Sequence, residues 1–324
     1  MRKFLLLVNP IFESQARQHL HAIQRVFQDA GVEVETLESG ANRAASSKAQ
    51  RAAEQGMDAV VVCGGDGTVF DALQGLAGSD VPLGICPFGT GNILSQNLNI
   101  PRNPVAAARW LLAAKPHAVP LGKITCCVPD DGKKTWFFAS AAGMGTHAQM
   151  MEEARRSDKD RTGRSAYFVA GLKLLVSHPI QPFDLEITTL EGKTQHRVAS
   201  EMIAVRVEKL NLWRPGGGLD LPFLRLASVE GTSRSRLTQA SFQALFLGGG
   251  RRDRPPRQRA AARYEDVLRV ECRPIPGLNY EAQIPVEADG EILGSSCTTI
   301  EMAGVNLMLL SGSTTCRLDS TDRG

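Results

Sequence analysis

Apolar and polar positions follow two different rhythms along this chain. In the first part, short apolar runs alternate with segments whose apolar residues recur every three or four positions. Residues 4–8 are such a run. Residues 13–30 place Ala16, Leu20, Ile23, Phe27 and Ala30 at helical spacing and stop at Gly31. Residues 32–37 alternate as a strand, an alanine-rich helix over 43–55 stops at Gly56, and Val60-Val61-Val62-Cys63 is the next strand. Val69, Leu73 and Leu76 form the buried stripe of a helix, 81–86 a further strand and 104–114 a further helix, with Pro104 acceptable in the first turn. Strands alternating with helices imply parallel strands, and the fold class predicted is α/β with a doubly wound parallel-sheet N-terminal domain.

After Pro116 the rhythm changes. Residues 119–127, 135–142, 183–190, 197–207, 223–229, 266–273, 281–288 and 297–302 read as strands, joined by turn-rich pieces such as Pro129-Asp130-Asp131-Gly132 and Glu191-Gly192. Helical spacing is confined to 145–156, 164–177 and 235–247. Runs of strands predict an antiparallel second domain. The division expected is 1–118 and 119–302, with 303–313 returning to the first domain through Val305–Leu310 and a polar tail, 314–324, expected to be disordered.

Composition narrows the possibilities. A chain of 324 residues is long enough for two domains, and 43% hydrophobic with 22% charged residues is ordinary for a soluble globular protein. A net charge of +3 does not indicate nucleic acid as a partner. The apolar run after Arg2-Lys3 is short and ends in Asn9-Pro10, so it reads as a buried strand rather than a signal peptide. No apolar run reaches the length needed to span a bilayer. Seven cysteines without a CxxC pair point to free thiols in a reducing compartment, and the expected location is cytoplasmic.

Candidate chemistry lies where two strands break into glycine-rich turns. Val60-Val61-Val62-Cys63 runs into Gly64-Gly65-Asp66-Gly67-Thr68, and Ile85-Cys86 into Pro87-Phe88-Gly89-Thr90-Gly91-Asn92. Glycine lets a ligand approach the backbone without an intervening Cβ, and N–H groups converging at a helix start seat a phosphate. Successive parallel strands put two such turns side by side at the carboxyl ends, where open α/β sheets bind ligands. Neither turn is a Walker A loop or a GxGxxG fingerprint. Asp66 sits among these donors. It either caps the helix that follows it or brings acid/base or metal chemistry to the site.

Gly64-Gly65-Asp66-Gly67-Thr68 followed by Pro87-Phe88-Gly89-Thr90-Gly91-Asn92 resembles the diacylglycerol kinase catalytic domain family, which includes bacterial diacylglycerol kinases and related sphingosine and ceramide kinases. Val8-Asn9-Pro10, Gly216-Gly217-Gly218 and Asp289-Gly290-Glu291 fall in family order, so the resemblance spans nearly the whole chain. It implies an ATP- and Mg2+-dependent lipid kinase whose second domain is a β-sandwich binding the lipid. Phosphoryl transfer needs a phosphate cradle, magnesium and a base. Gly64, Gly65, Asp66, Gly67, Thr68, Gly89, Thr90 and Asn92 would form the cradle, with Asn9 adding an amide from the neighbouring strand end. By resemblance Thr36 also belongs to the nucleotide site, although by itself it reads as an ordinary strand residue. Glu291 and Asp66 compete as base: related bacterial lipid kinases assign it to the matching glutamate, sphingosine kinases to the loop aspartate. The reading adopted is Glu291 as base and Asp66 as magnesium or nucleotide ligand. Asp71, one turn into the helix, either orients the loop or complements the helix's positive end.

Three departures from the family pattern bear on activity. Ile93 stands where an acid often follows the second loop. Val229-Glu230-Gly231 replaces an Asp-Asp-Gly turn, leaving Glu230 as the candidate metal ligand. Ile11-Phe12-Glu13 replaces the usual continuation of Asn9-Pro10. The expected function is phosphorylation of a hydroxyl on diacylglycerol or a related lipid at a membrane surface, in peripheral contact. The alternatives are a catalytically weak or inactive lipid- or nucleotide-binding regulatory relative, and a soluble-substrate kinase resembling NAD kinase. The basic run over 248–259, preceded by Phe242, Leu245, Phe246 and Leu247, is either a solvated loop or an electrostatic contact with anionic lipid.

Overall fold

A computed structural model describes residues 2–10, 15–40, 44–128, 131–149, 151, 180–210, 213–246, 261–278 and 284–312. The chain has a mixed α/β fold and divides into two compact units, Met1–Ala118 with Leu307–Gly324, and Val119–Asn306.

The first unit contains β1 (Arg2–Val8), α1 (Gln15–Asp29), β2 (Val32–Glu38), α2 (Ala44–Glu54), β3 (Ala59–Gly64), α3 (Asp66–Leu76), β4 (Leu83–Pro87), α4 (Ile93–Asn97) and α5 (Pro104–Ala113). Its strands lie in the order β2-β1-β3-β4, all parallel. The far end of a later strand, β13 (Glu291–Ser311), adds a fifth by pairing parallel to β4 at Leu309↔Leu83. Central β3 is buried at every position, which is why its sequence is an unbroken apolar run instead of an alternating one. Right-handed crossovers in this strand order send α1 to one face and α2 and α3 to the other. Consistently, α1 packs on α5 and α2 on α3. Gly75 is where α2 and α3 touch: a Cβ there would lie 2.1 Å from the Ser46 carbonyl oxygen. Helix α5 opens with Asn103, whose side chain accepts the Ala106 N–H ahead of Pro104.

The second unit takes up β5 (Lys115–Val128) from Val119 and continues through β6 (Gly132–Phe138), β7 (Ala141–Gly145), β8 (Phe183–Thr189), β9 (Thr194–Val205), β10 (Leu224–Glu230), α6 (Arg234–Phe246), β11 (Arg263–Pro274), β12 (Pro285–Ala288) and the first part of β13. The strand pairings within it are antiparallel. They do not form two separate sheets. The path β9-β8-β11-β13-β12-β7 returns to β9, and β10 bridges β9 and β11. The expected sandwich is therefore a barrel-like closed sheet. Closure follows from long strands that change partners along their length. β9 pairs β8 through Thr194–Ala199 and β7 through Glu201–Val205, and register shifts at Val229/Glu230, Val267/Arg269 and Val286/Glu287 supply the bends.

Several expected strands have different limits. The run 135–142 is broken at Ala139-Ser140 into β6 and β7, and the two runs 297–302 and 305–310 are one 21-residue strand, β13. The helix over 164–177, half of that over 145–156, the basic run 248–259 and the tail 314–324 lie outside the described residues.

Candidate functional site

Parallel register aligns the carboxyl ends of the first unit's strands: Val8 faces Glu38 on one side and Cys63 on the other, and Gly64 faces Pro87. Asn9, Gly64-Gly65 and Pro87-Phe88-Gly89 therefore leave the sheet along one edge. The Phe88 N–H donates to the Gly64 carbonyl at 2.9 Å, and the Asn9 N–H to that of Cys63 at 3.1 Å. The Asn9 side-chain amide donates to Thr68 Oγ1 at 3.0 Å. Thr68 is buried beneath Gly64, where a Cβ would come within 2.8 Å of the same hydroxyl.

Asp66 joins the two loops. Its Oδ2 accepts the Asn92 N–H and its Oδ1 the Ile93 N–H, each at 2.7 Å. Asp66 thus caps α4, the helix after the second loop, and not α3, whose N-cap Gly65 has no side-chain cap. Asn92 adopts the left-handed conformation, φ 49°, and accepts the Gly89 N–H on its Oδ1 while donating to the Gly89 carbonyl. A Cβ on Gly89 would stand 2.7 Å from Gly65 Cα, and one on Gly91 2.5 Å from Asp66 Oδ2. The loops are in backbone contact, and only glycine permits it. Thr90 is exposed at the loop tip.

Other residues at this edge fare differently. The Thr36 hydroxyl accepts from Gln24 of α1 at 2.9 Å and not from either loop. Asp71 is buried and accepts the Ala45 N–H at 2.9 Å, so it caps α2 rather than its own helix. Lys48, which sequence reasoning passed over, donates to the Glu38 carbonyl and adds a positive charge at the end of β2.

In the second unit, Asp289 and Gly290 form the two-residue turn between β12 and β13. Both have positive φ, 47° and 87°, as a type I′ hairpin requires. The Asp289 carboxylate accepts the Ala139, Ser140 and Ala141 N–H groups at 2.7–2.9 Å, which is what breaks β6 from β7. Loss of water around it pushes its pKa up to about 7, although the three N–H donors pull the other way. Glu291 follows, paired with Ala288. Beside this turn lies a cluster the sequence did not disclose. The His147 ring sits between Glu201, on Nδ1, and Glu287, 3.3 Å from Nε2. Burial favours the neutral ring, yet the two carboxylates together raise its pKa to about 10. The Gly143-Met144-Gly145 spacing ahead of His147 is the one local signal, because a Cβ on Gly143 would lie 2.6 Å from the ring.

Two buried arginines hold Gly216-Gly217-Gly218 and the residues just after it. Arg225 donates to the Gly216 carbonyl and pairs with Asp266, while Arg206 donates to the Leu219 and Leu221 carbonyls. Glu230 faces Arg197 at 3.5 Å and Arg263 at 3.8 Å. With two guanidinium groups already beside it, this lone carboxylate is a poor fit for a metal ion. Among the described residues no group of three acidic, histidine or cysteine side chains could hold one. Magnesium bound mainly through phosphate oxygens and water needs only one or two carboxylates; Asp66, each of whose oxygens already accepts one N–H, would meet it through a water on a remaining lone pair.

The first unit is thus an α/β domain whose parallel sheet carries two clasped glycine loops at its carboxyl edge, where open sheets of this kind bind ligands. The profile of the Diacylglycerol kinase catalytic domain matches residues 3–124. A diacylglycerol kinase of Mycobacterium tuberculosis is 32% identical over 300 residues, covering 89% of this chain and 88% of that one. The chain belongs to the diacylglycerol kinase catalytic domain family. A diacylglycerol kinase of Bacillus subtilis is 27% identical over 191 residues, 58% of this chain and 59% of that one. The crystal structure of a diacylglycerol kinase from Bacillus anthracis shares the fold, with a TM-score of 0.66 at 19% identity over 96% of this chain and 97% of that one.

Proposed function

We propose that this protein is an ATP-dependent lipid kinase that phosphorylates a hydroxyl of diacylglycerol or a related lipid, meeting it in peripheral contact with a membrane. The observation that carries the reading is the Asp66 clasp, which holds two glycine loops in backbone contact at the carboxyl edge of a parallel sheet. In this reading the backbone of Gly65–Gly67 and Thr90–Gly91 faces the ATP phosphates, while the Gly89 and Asn92 N–H groups are engaged in the clasp itself; Asn9 and Thr68 fix the first loop, and Lys48 adds positive charge. Mg2+, when bound with the nucleotide, supplies further charge neutralisation, with Asp66 as its candidate protein ligand. Glu291 takes the proton of the acceptor hydroxyl. The rigid I′ turn before it supports that role, because a base must be held within hydrogen-bond reach of the proton it removes.

The two carboxylates separate by experiment. Calorimetric ATP titration and steady-state turnover are measured on Asp66→Asn and Glu291→Gln. Asp66→Asn loses a charge-assisted clasp, and its ATP affinity is expected to fall about tenfold or more. Glu291→Gln is expected to bind ATP like the wild type while kcat falls about 10²–10⁴-fold. Normal turnover by Glu291→Gln would remove Glu291 as base. Unchanged ATP binding by Asp66→Asn would remove the clasp from the nucleotide site.

A further inference from the structure

We infer that Glu201, His147 and Glu287 form a positioning chain that fixes the turn carrying Glu291; the inference rests on the role proposed for Glu291 above. Strands β9 and β12 supply the two carboxylates, and the residues just after β7 supply His147. Glu201 stands opposite Gly145 across the β9–β7 ladder, and Glu287 opposite Gly143 across β7–β12. With no side chain on either glycine, the His147 ring lies over β7 between the two carboxylates. A Cβ on Gly143 would meet His147 Cε1 at 2.6 Å and Nε2 at 2.7 Å. One on Gly145, whose φ is +125°, would meet Glu201 Oε2 at 3.0 Å.

The hydrogen bonds link β9 to the turn, with both carboxylates as acceptors. Glu201 accepts the His147 backbone N–H on Oε2 at 3.2 Å and faces ring Nδ1 with Oε1. Ring Nε2 faces Glu287 Oε1 at 3.3 Å, and Glu287 Oε2 accepts the Gly290 N–H at 3.1 Å. A ring that meets a carboxylate at both nitrogens donates to both only as imidazolium. Burial of three ionisable side chains, each no more than 21% exposed, is costly for a hairpin that needs only to stay closed. Such a network does fix orientation. Asp289 tethers the turn to Ala139–Ala141, Glu287 tethers Gly290, and the next residue is Glu291. The sphere of action is the turn: His147 acts through Glu287 and does not itself touch a reacting atom.

The test uses two readouts on the full chain. Amide hydrogen exchange at Gly290 reports the turn, and kcat and KM report the reaction, for wild type, His147→Ala, Glu291→Gln and the double variant. Expected for His147→Ala are faster Gly290 exchange, a kcat lower by about 10- to 100-fold as for a misplaced group, and unchanged KM values. Added to Glu291→Gln, it is expected to lower kcat no further. Unchanged Gly290 exchange, or a kcat loss that multiplies with that of Glu291→Gln, would overturn the inference. Glu201→Gln carries the same readouts if His147→Ala does not fold. If the wild type transfers no phosphate, the proposed function fails, whereas Gly290 exchange still decides whether His147 holds the turn.

Discussion

Asp66 and Asp289 do the same physical work in different units: each carboxylate gathers backbone N–H groups from a distant segment of chain. Asp289→Ala leaves three such donors without their acceptor, at about 1–3 kcal/mol for each that water does not reach. Urea denaturation is expected to show the loss as a lower midpoint with an unchanged slope. Asp289 and His147 also set the pH dependence. Each has its pKa raised in the folded protein, from 3.8 to about 7 and from 6.5 to about 10. The folded state then binds the proton more tightly than the unfolded chain. The contribution of Asp289 is full below pH 3.8 and is lost as pH rises through about 7; that of His147 is full below pH 6.5 and is lost toward 10. Stability measured against pH is expected to fall through both windows, Asp289→Asn flattening the lower and His147→Ala the upper. An unaltered profile in either variant would contradict the assignment of that window.

Elements in the first unit are legible because each strand carries its own apolar run or, in β2, its own alternation, and each glycine loop its own local signature. Asn9, Asp66, Thr68, Gly89 and Asn92 were read as one cradle, and they do lie together. What escaped the sequence is set by partners far along the chain. Ala139-Ser140 breaks a strand because Asp289, about 150 residues later, takes its N–H groups. Glu201 and Glu287 meet His147 only because β9, β7 and β12 are neighbours in the closed sheet, an order no local pattern encodes. Thr36 was included by resemblance, and its hydroxyl is engaged by Gln24. Close approach of elements yields a further prediction. Gly89→Ala sets a Cβ 2.7 Å from Gly65 Cα, and Gly75→Ala sets one 2.1 Å from the Ser46 carbonyl oxygen. Both obstacles are backbone, so no rotamer relieves them, and each variant is expected to lose about 1–3 kcal/mol in chemical denaturation. Only Gly89→Ala is expected to weaken ATP binding as well. Equal ATP affinity in the two would argue that the loop contact has no part in the nucleotide site.

At the scale of the molecule, the family profile covers residues 3–124, whereas the M. tuberculosis relative extends over 300 residues. The likeness therefore reaches into the second unit. Among the described residues no helix is long and apolar enough to cross a membrane. The central claim is that the acceptor is a lipid. The measurement that tests it most directly is transfer of labelled phosphate from ATP to diacylglycerol, monoacylglycerol, ceramide, sphingosine and phosphatidylglycerol in mixed micelles, with NAD as a soluble acceptor alongside. The account predicts label in one lipid, abolished in Glu291→Gln, and none in NAD. Label in NAD alone, or ATP bound with no acceptor labelled, would contradict it.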